Sequence, residues 1–309
     1  MRILVLGAGA IGGYFGLRLA EVGADVSFLV RPGRAAQLER DGLVVSSHGE
    51  ERRMRVPALL AGEVNQPFDA LLLTCKAYDL PTAIEAIAPA VGEISVVLPL
   101  LNGLAHFDVL DARFGAGRVL GGVAYIATML EPDGTIRHTS PMDTLLFGDR
   151  SGRLTPPVEA LAEVFTATQV TARASMEITQ DLWEKWAMLA AGAAITCLLR
   201  GTIGEVLATA DGAAVAARTI AEVRAIAAAH GHAPRPAAVA QADRMLGDPR
   251  SRWAASMMRD IQQGAPRLEA EHVIGDLIRR GREHGLAAPM LEASFAQLQV
   301  YNARQGTLS

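Results

Sequence analysis

Two lysines, Lys76 and Lys185, stand among 29 basic residues in this chain of 309; every other cation is arginine. The distinction is chemical: a desolvated lysine can release its proton near neutral pH, whereas a guanidinium effectively cannot. These two positions are therefore the first places to look for proton transfer. Lys76 closes the apolar run Leu71-Leu72-Leu73-Thr74-Cys75, which reads as a buried strand delivering its last residue to a sheet edge. Lys185 lies between Trp183 and Trp186 on an otherwise apolar, helical segment. Flanking indoles lower the pKa of an ammonium by desolvation and bring it closer to balance as a proton donor. The competing reading of Lys185 is a snorkelling side chain whose stem covers apolar surface.

A second group of residues binds rather than reacts. The short apolar strand Arg2-Ile3-Leu4-Val5-Leu6 runs directly into Gly7, Ala8, Gly9, Ala10, Ile11 and Gly12, then into a helical pattern ending near Gly23. Strand, glycine turn and helix in this order form a dinucleotide-binding fingerprint. Gly7 makes the tight turn, Gly9 lets a pyrophosphate approach the backbone, and Gly12 permits close helix–strand packing, with the anion on the first N–H groups of the helix. At the end of the next strand, where an NAD site places an acid for the ribose 2′-hydroxyl, stand Val30-Arg31, with Arg34 one loop turn later. A carboxylate would repel a 2′-phosphate and an arginine fork binds it, so NADP(H) is favoured. The alternative for Arg31 is a solvated charge in the Pro32-Gly33 turn.

These residues need a scaffold, and the chain is long enough for two domains. Segments 2–6, 25–30, 69–75, 94–98 and 118–125 read as strands, with helices near 11–22, 80–91 and 104–113. Such alternation predicts a parallel sheet. Residues 134–138 and 144–148 read as antiparallel strands at its far edge. From about Ser175 the strand signal vanishes and an alanine-rich, helically spaced remainder follows. The expected fold is thus α/β, with a Rossmann-type, NADP-binding N-terminal domain over residues 1–174 and an all-α substrate and catalytic domain over 175–309. Cys75 and Cys197 lie in apolar stretches without metal-ligand spacing and read as core thiols of a reducing, cytoplasmic compartment; no metal site is expected. The net charge of −4 suggests no polyanion-binding face, so nucleic acid is not an expected partner. No segment reaches the length of an uninterrupted apolar span, and five glycines break the N-terminal stretch, so neither a membrane span nor a signal peptide is expected.

Together these residues resemble the ketopantoate reductase family, NADPH-dependent enzymes of pantothenate biosynthesis that reduce 2-dehydropantoate to pantoate. The resemblance covers nearly the whole chain. Its pieces are the glycine turn, Arg31, Thr74-Cys75-Lys76-Ala77, Asn102-Gly103, Trp183-Glu184-Lys185, Ser256-Met257-Met258-Arg259-Asp260, Leu268-Glu269 and Gly275. It implies that Lys185 is the general acid, whose cation also stabilises the developing oxyanion. It further implies that Lys76 is a second active-site lysine at the cofactor, that Asn102 touches both cofactor and substrate, and that Ser256 hydrogen-bonds the substrate. Glu269 matches the acid that meets the cofactor from the helical domain; the spacing from Ser256 is one residue longer than usual, and Glu271 competes for the role. The implied substrate is a small oxo acid, with a homodimer as the candidate assembly.

One departure bears on the substrate. Four and eight residues beyond its catalytic lysine, and again before the glycine matching Gly204, the family pattern carries asparagines; this chain has Leu189, Ala193 and Ile203. Leu189 and Ala193 are expected on the Lys185 face of the helix, bordering the substrate. Losing amides removes the basis for selecting a substrate hydroxyl. Thr196 and Arg200, on the same segment, are other candidate polar contacts. The expectations are therefore a 2-dehydropantoate 2-reductase, a relative acting on a more apolar oxo acid, or a redox sensor that binds NADP(H) without turnover. Lys185 argues against the sensor, which needs no proton donor.

Overall fold

The continuous apolar strands near the N-terminus form a parallel sheet, because strands covered on both faces need no polar alternation. A computed structural model describes residues 1–307. The chain divides into two units: Met1–Leu101 with His106–Thr179, and Asn102–Ala105 with the chain from Gln180 onward. The strands of the first unit are β1 (Arg2–Leu6), β2 (Asp25–Leu29), β3 (Leu43–Ser47), β4 (Glu50–Met54), β5 (Ala58–Leu59), β6 (Phe68–Leu73), β7 (Val91–Pro99), β8 (Gly121–Leu130), β9 (Ile136–Gly148) and β10 (Thr171–Ala174). Its helices are α1 (Ala10–Glu21), α2 (Pro32–Asp41), α3 (Leu80–Ile87) and α5 (Pro156–Thr166), with α4 (Ala105–Phe114) following the Asn102 loop.

The parallel sheet has the order β5-β2-β1-β6-β7. Leu6 lies level with Leu29 on one side and Leu73 on the other. The ends of β1, β2 and β6 therefore deliver Gly7, Val30-Arg31 and Thr74-Cys75-Lys76 to one sheet edge. The remaining strands form a second, mixed sheet in the order β10-β9-β3-β4, with β8 antiparallel to β9.

This second sheet revises two expectations. The 118–125 strand pairs with the parallel sheet through a Val97–Val119 bridge before leaving as β8. Gly122 makes the crossing feasible: a Cβ there would lie 2.6 Å from the Pro99 carbonyl oxygen. Segments 134–138 and 144–148 belong to one continuous strand, β9, inside the second sheet rather than at the edge of the first. The β3–β4 hairpin was invisible to hydrophobic periodicity because β4, Glu-Glu-Arg-Arg-Met, is charged and largely exposed. Its two-residue loop, His48-Gly49, takes φ of 51° and 86°, the left-handed pair that closes tight hairpins.

The second unit is helical: α6 (Ile178–Leu199), α7 (Ile203–Leu207), α8 (Gly212–Ala229), α9 (Pro236–Leu246), α10 (Ser256–Gln262), α11 (Asp276–Glu283) and α12 (Pro289–Thr307). A π-helical turn, Glu271–Gly275, leads into α11. Apolar on nearly every side, α6 is the one helix among the described residues long and apolar enough to cross a membrane, yet 72% of its most apolar window is buried in the protein. It is the core helix of this unit. Arg235, at the start of α9, clamps it: the backbone N–H and Nε both donate to Glu184 Oε1 at 2.8 Å, and the guanidinium also bonds Asp181.

Candidate active site

In the first unit, the β1–α1 turn builds a candidate nucleotide cradle. Gly7 has φ of +98°, and its N–H donates to the Leu29 carbonyl at 2.9 Å, so the chain reverses across the end of β2 in a conformation that favours glycine. A Cβ on Gly12 would fall 2.2 Å from the Gly7 carbonyl oxygen and 2.3 Å from Thr74 Oγ1. One on Gly9 would meet nothing within 4 Å. The turn is thus sealed at Gly12 and open at Gly9, the helix N-cap, which has no side-chain cap on the first N–H groups. That arrangement fits a pyrophosphate. Ala8 is buried, while Ala10 and Ile11 keep partial exposure along the first turn of α1. Thr74, named in the sequence only as part of a motif and given no role, holds the turn from β6 by donating to the Leu6 carbonyl at 2.8 Å.

Arg31 caps α2 with its side chain 77% exposed and Nη2 3.0 Å from Asp79 Oδ1. Arg34 is partly committed: Nε donates to the Ala8 carbonyl at 2.9 Å and Nη1 to that of Gly134 at 3.1 Å, while Nη2 is buried without a partner. Of the two arginines, Arg31 is the more exposed, and Arg34 braces the glycine turn. Lys76, half-buried, opens the short turn Ala77–Asp79 that carries Asp79.

The helical unit carries the candidate proton donor. Lys185 is only 9% exposed on α6. Burial pushes its pKa down to about 8, against the opposing field of Glu269. Glu269 is half-buried, whereas Glu271 is 71% exposed and faces Arg279. It is therefore Glu269 whose charge acts on the lysine. Trp186, the residue after Lys185, donates its indole N–H to the Val273 carbonyl at 2.8 Å, bolting α6 to the π-helical turn.

Asn102 belongs to this unit, and the loop carrying it packs on the same turn. A Cβ on Gly103 would come within 2.7 Å of the His272 carbonyl oxygen and 3.1 Å of its Cδ2. The His272 imidazole is kept below the ordinary range by burial, with Arg279 adding to the effect and Glu269 and Asp276 opposing it. Nothing in the sequence marked His272 beyond its place three residues after Glu269. The expected substrate contacts separate by burial. Leu189 is partly exposed and Ser256 is exposed at the start of α10. Ala193 and Ile203 are buried, and Thr196 has no exposed surface. The Thr196 hydroxyl donates to the Gly192 carbonyl at 2.7 Å and accepts from the Ala255 N–H at 3.4 Å, so it braces the helix against the chain leading into Ser256. Arg200 ends α6 in the left-handed region, with φ of 59°.

Comparison with known proteins decides the family. Residues 3–152 match the family model described as ketopantoate reductase PanE/ApbA, and residues 177–302 its C-terminal counterpart. The chain belongs to the ketopantoate reductase family. It is 37% identical to the Bacillus subtilis protein named uncharacterized oxidoreductase YkpB, across 99% of this chain and all of that one. It is 30% identical to the 2-dehydropantoate 2-reductase of Archaeoglobus fulgidus, across 92% of each. The crystal structure of the PanE/ApbA family ketopantoate reductase from Ralstonia eutropha JMP134 superposes with a TM-score of 0.89 at 26% identity, covering 99% of this chain and all of that one. This ketopantoate reductase relative is an oxidoreductase of a pyridine-nucleotide-dependent family, with a Rossmann-type domain and a helical C-terminal domain.

Proposed function

We propose that the protein reduces the ketone of a 2-oxo acid to the 2-hydroxy acid with NADPH, Lys185 supplying the proton. The observation that carries this reading is a buried ammonium whose pKa is lowered to about 8 on the helix tied to the Glu269 segment. When bound, the nicotinamide supplies hydride to the carbonyl carbon. Negative charge then grows on the oxygen, where Nζ of Lys185 stabilises it and transfers its proton. The field of Glu269 keeps more of the lysine charged than burial alone would allow. Asn102 and Ser256 are proposed as hydrogen-bond donors to the substrate. The open glycine turn, Lys76 and Arg31 are proposed as the nucleotide's anion contacts, with Arg31 selecting the 2′-phosphate.

Relatives named 2-dehydropantoate 2-reductase make the conversion of 2-dehydropantoate to pantoate, a step of pantothenate biosynthesis, the first activity to assay. Leu189, partly exposed where the family pattern carries an amide, favours a second reading, a more apolar 2-oxo acid. A cytoplasmic homodimer completes the proposal. The test is NADPH oxidation over a panel of 2-oxo acids that includes ketopantoate. Lys185→Ala should keep NADPH binding within a few-fold and lower turnover by roughly 10² or more. Near wild-type turnover in that variant would end the assignment of Lys185.

A further inference from the structure

The Lys185 face of α6 does not stop at the lysine. Leu189, Gly192 and Thr196 follow at intervals of four, three and four residues, which keeps all of them on one stripe of the helix. The far end of that stripe is covered. A Cβ on Gly192 would lie 2.5 Å from both Cη2 and Cζ3 of Trp253, so the six-membered ring of the indole rests directly on the α6 backbone. At seven residues the contact stands about 10 Å along the axis from Lys185.

The indole is held there by its backbone. The Trp253 carbonyl accepts from the Ile203 N–H at 3.0 Å, and the Ser251 carbonyl accepts from the Gly204 N–H at 2.9 Å. The Ala255 N–H donates to Thr196 Oγ1 at 3.4 Å. A Cβ on Gly204 would lie 2.7 Å from the Ser251 carbonyl oxygen, so this packing is as close as that on Gly192. Trp253 keeps part of its surface exposed, and so does Leu189, which lies between it and the lysine. Ser256 opens α10 three residues beyond the indole. Read along the stripe, the order is ammonium, leucine, indole.

Resting on the 2-oxo acid reading above, we propose that Trp253 is a specificity-determining residue: its indole is the end wall of the substrate site and selects 2-oxo acids with a bulky apolar tail, branched or aryl. The carbonyl lies at Lys185, the tail runs over Leu189, and its end meets the indole. An indole and a leucine bury an apolar tail well and leave a tail hydroxyl without an amide to bind it, so a hydroxyl gains nothing from this surface. Gly192 is required because any side chain there would lift the indole off the helix.

The test compares kcat/KM with NADPH for phenylglyoxylate, 3,3-dimethyl-2-oxobutanoate, ketopantoate and pyruvate in the wild type, Trp253→Ala and Trp253→Phe. Calorimetric binding of phenylglyoxylate in the presence of NADP+ is measured alongside. The wild type should prefer both bulky apolar acids over pyruvate by at least about tenfold, and ketopantoate should exceed 3,3-dimethyl-2-oxobutanoate by less than about 100-fold, against the order of 10⁴ that a hydroxyl-binding site gives. Trp253→Ala should lower the phenylglyoxylate-to-pyruvate ratio at least tenfold, chiefly through KM, and Trp253→Phe should restore most of it. Equal losses on all substrates, or none, would show a structural role and overturn the proposal, as would a wild-type ketopantoate preference above 10³. If the wild type turns over no 2-oxo acid, the parent reading fails. The wall then stands only if phenylglyoxylate still binds and Trp253→Ala abolishes that binding; absent binding overturns both.

Discussion

Lys185 can act as an acid only while it is charged, and burial limits how far up the pH scale that lasts. With its pKa near 8, kcat/KM for reduction should fall above about pH 8, tenfold for each further unit. Glu269 is the group that opposes this depression, so Glu269→Gln should move the alkaline limb to lower pH. A limb that stays in place in the Gln variant would show that another group sets it. Lys185→Arg should rescue poorly, since a guanidinium keeps the charge but does not readily give up its proton. Arg31 raises a different question, because its guanidinium already faces Asp79 at 3.0 Å. A 2′-phosphate bound as proposed would share that arginine with a carboxylate. NADPH should still bind at least about tenfold more tightly than NADH, and Arg31→Ala should remove most of the difference. Asp79→Asn should tighten NADPH by up to about fivefold with little effect on NADH, as expected for an exposed pair. Fluorescence titration of both nucleotides reads all three values.

At the scale of elements, α6 bears the proposed proton donor, and two of its tethers lie close to that residue. Trp186 ties it to the π-helical turn, and Arg235 ties its first turns to α9. Burial alone would raise the pKa of Glu184, but hydrogen bonds from Arg235 and Gln180 outweigh it and hold the carboxyl below its ordinary range. A depressed carboxylate contributes its full stability above the unfolded pKa, about 4.3, and loses it as the pH falls through the folded value. Arg235→Ala leaves two buried carboxylates without their cation, though Gln180 and the residue-235 N–H still reach Glu184, and with a partly exposed guanidinium it should cost roughly 2 kcal/mol at pH 7. The gap between wild type and variant should be smaller at pH 3 than at pH 7, because the unfolded carboxyl is protonated there and the wild type loses its advantage. Urea unfolding at the two pH values measures it, and an unchanged gap would place the clamp's energy in packing rather than charge.

For the molecule as a whole, nucleotide binding must couple to folding, because only the folded β1–α1 turn presents its N–H groups together. A ligand at about 100 times its Kd adds about 2.7 kcal/mol to the state that binds it. NADPH should therefore raise the melting temperature by several degrees, and NADH at the same concentration by less. In Arg31→Ala the two nucleotides should give nearly equal shifts. A thermal-shift series over nucleotide concentration checks this, and an NADPH shift no larger than that of NADH in the wild type would remove the case for NADP(H). Analytical ultracentrifugation tests the proposed homodimer on the same samples.

The amino-acid sequence by itself determined the features that neighbours along the chain can express. The glycine turn is legible because strand, tight turn and helix follow one another within a few residues. The helical second unit is legible because an alanine-rich, helically spaced pattern repeats over many turns. The two lysines are legible because residue type alone separates them from the arginines. Tertiary structure decided everything that depends on residues far apart in sequence. It sent the strand after Val119 into a second sheet through a glycine crossing over Pro99, and it hid a charged hairpin that no apolar period could announce. It turned Thr196 inward as a brace, left Leu189 partly open, set Asp79 against Arg31, packed the Asn102 loop on His272, and laid Trp253 on Gly192. Each of these is a proximity between segments whose own sequences carry no record of the partner, and burial, which sets both the pKa of Lys185 and the character of the surface beside it, is a property of the packed chain rather than of any one segment.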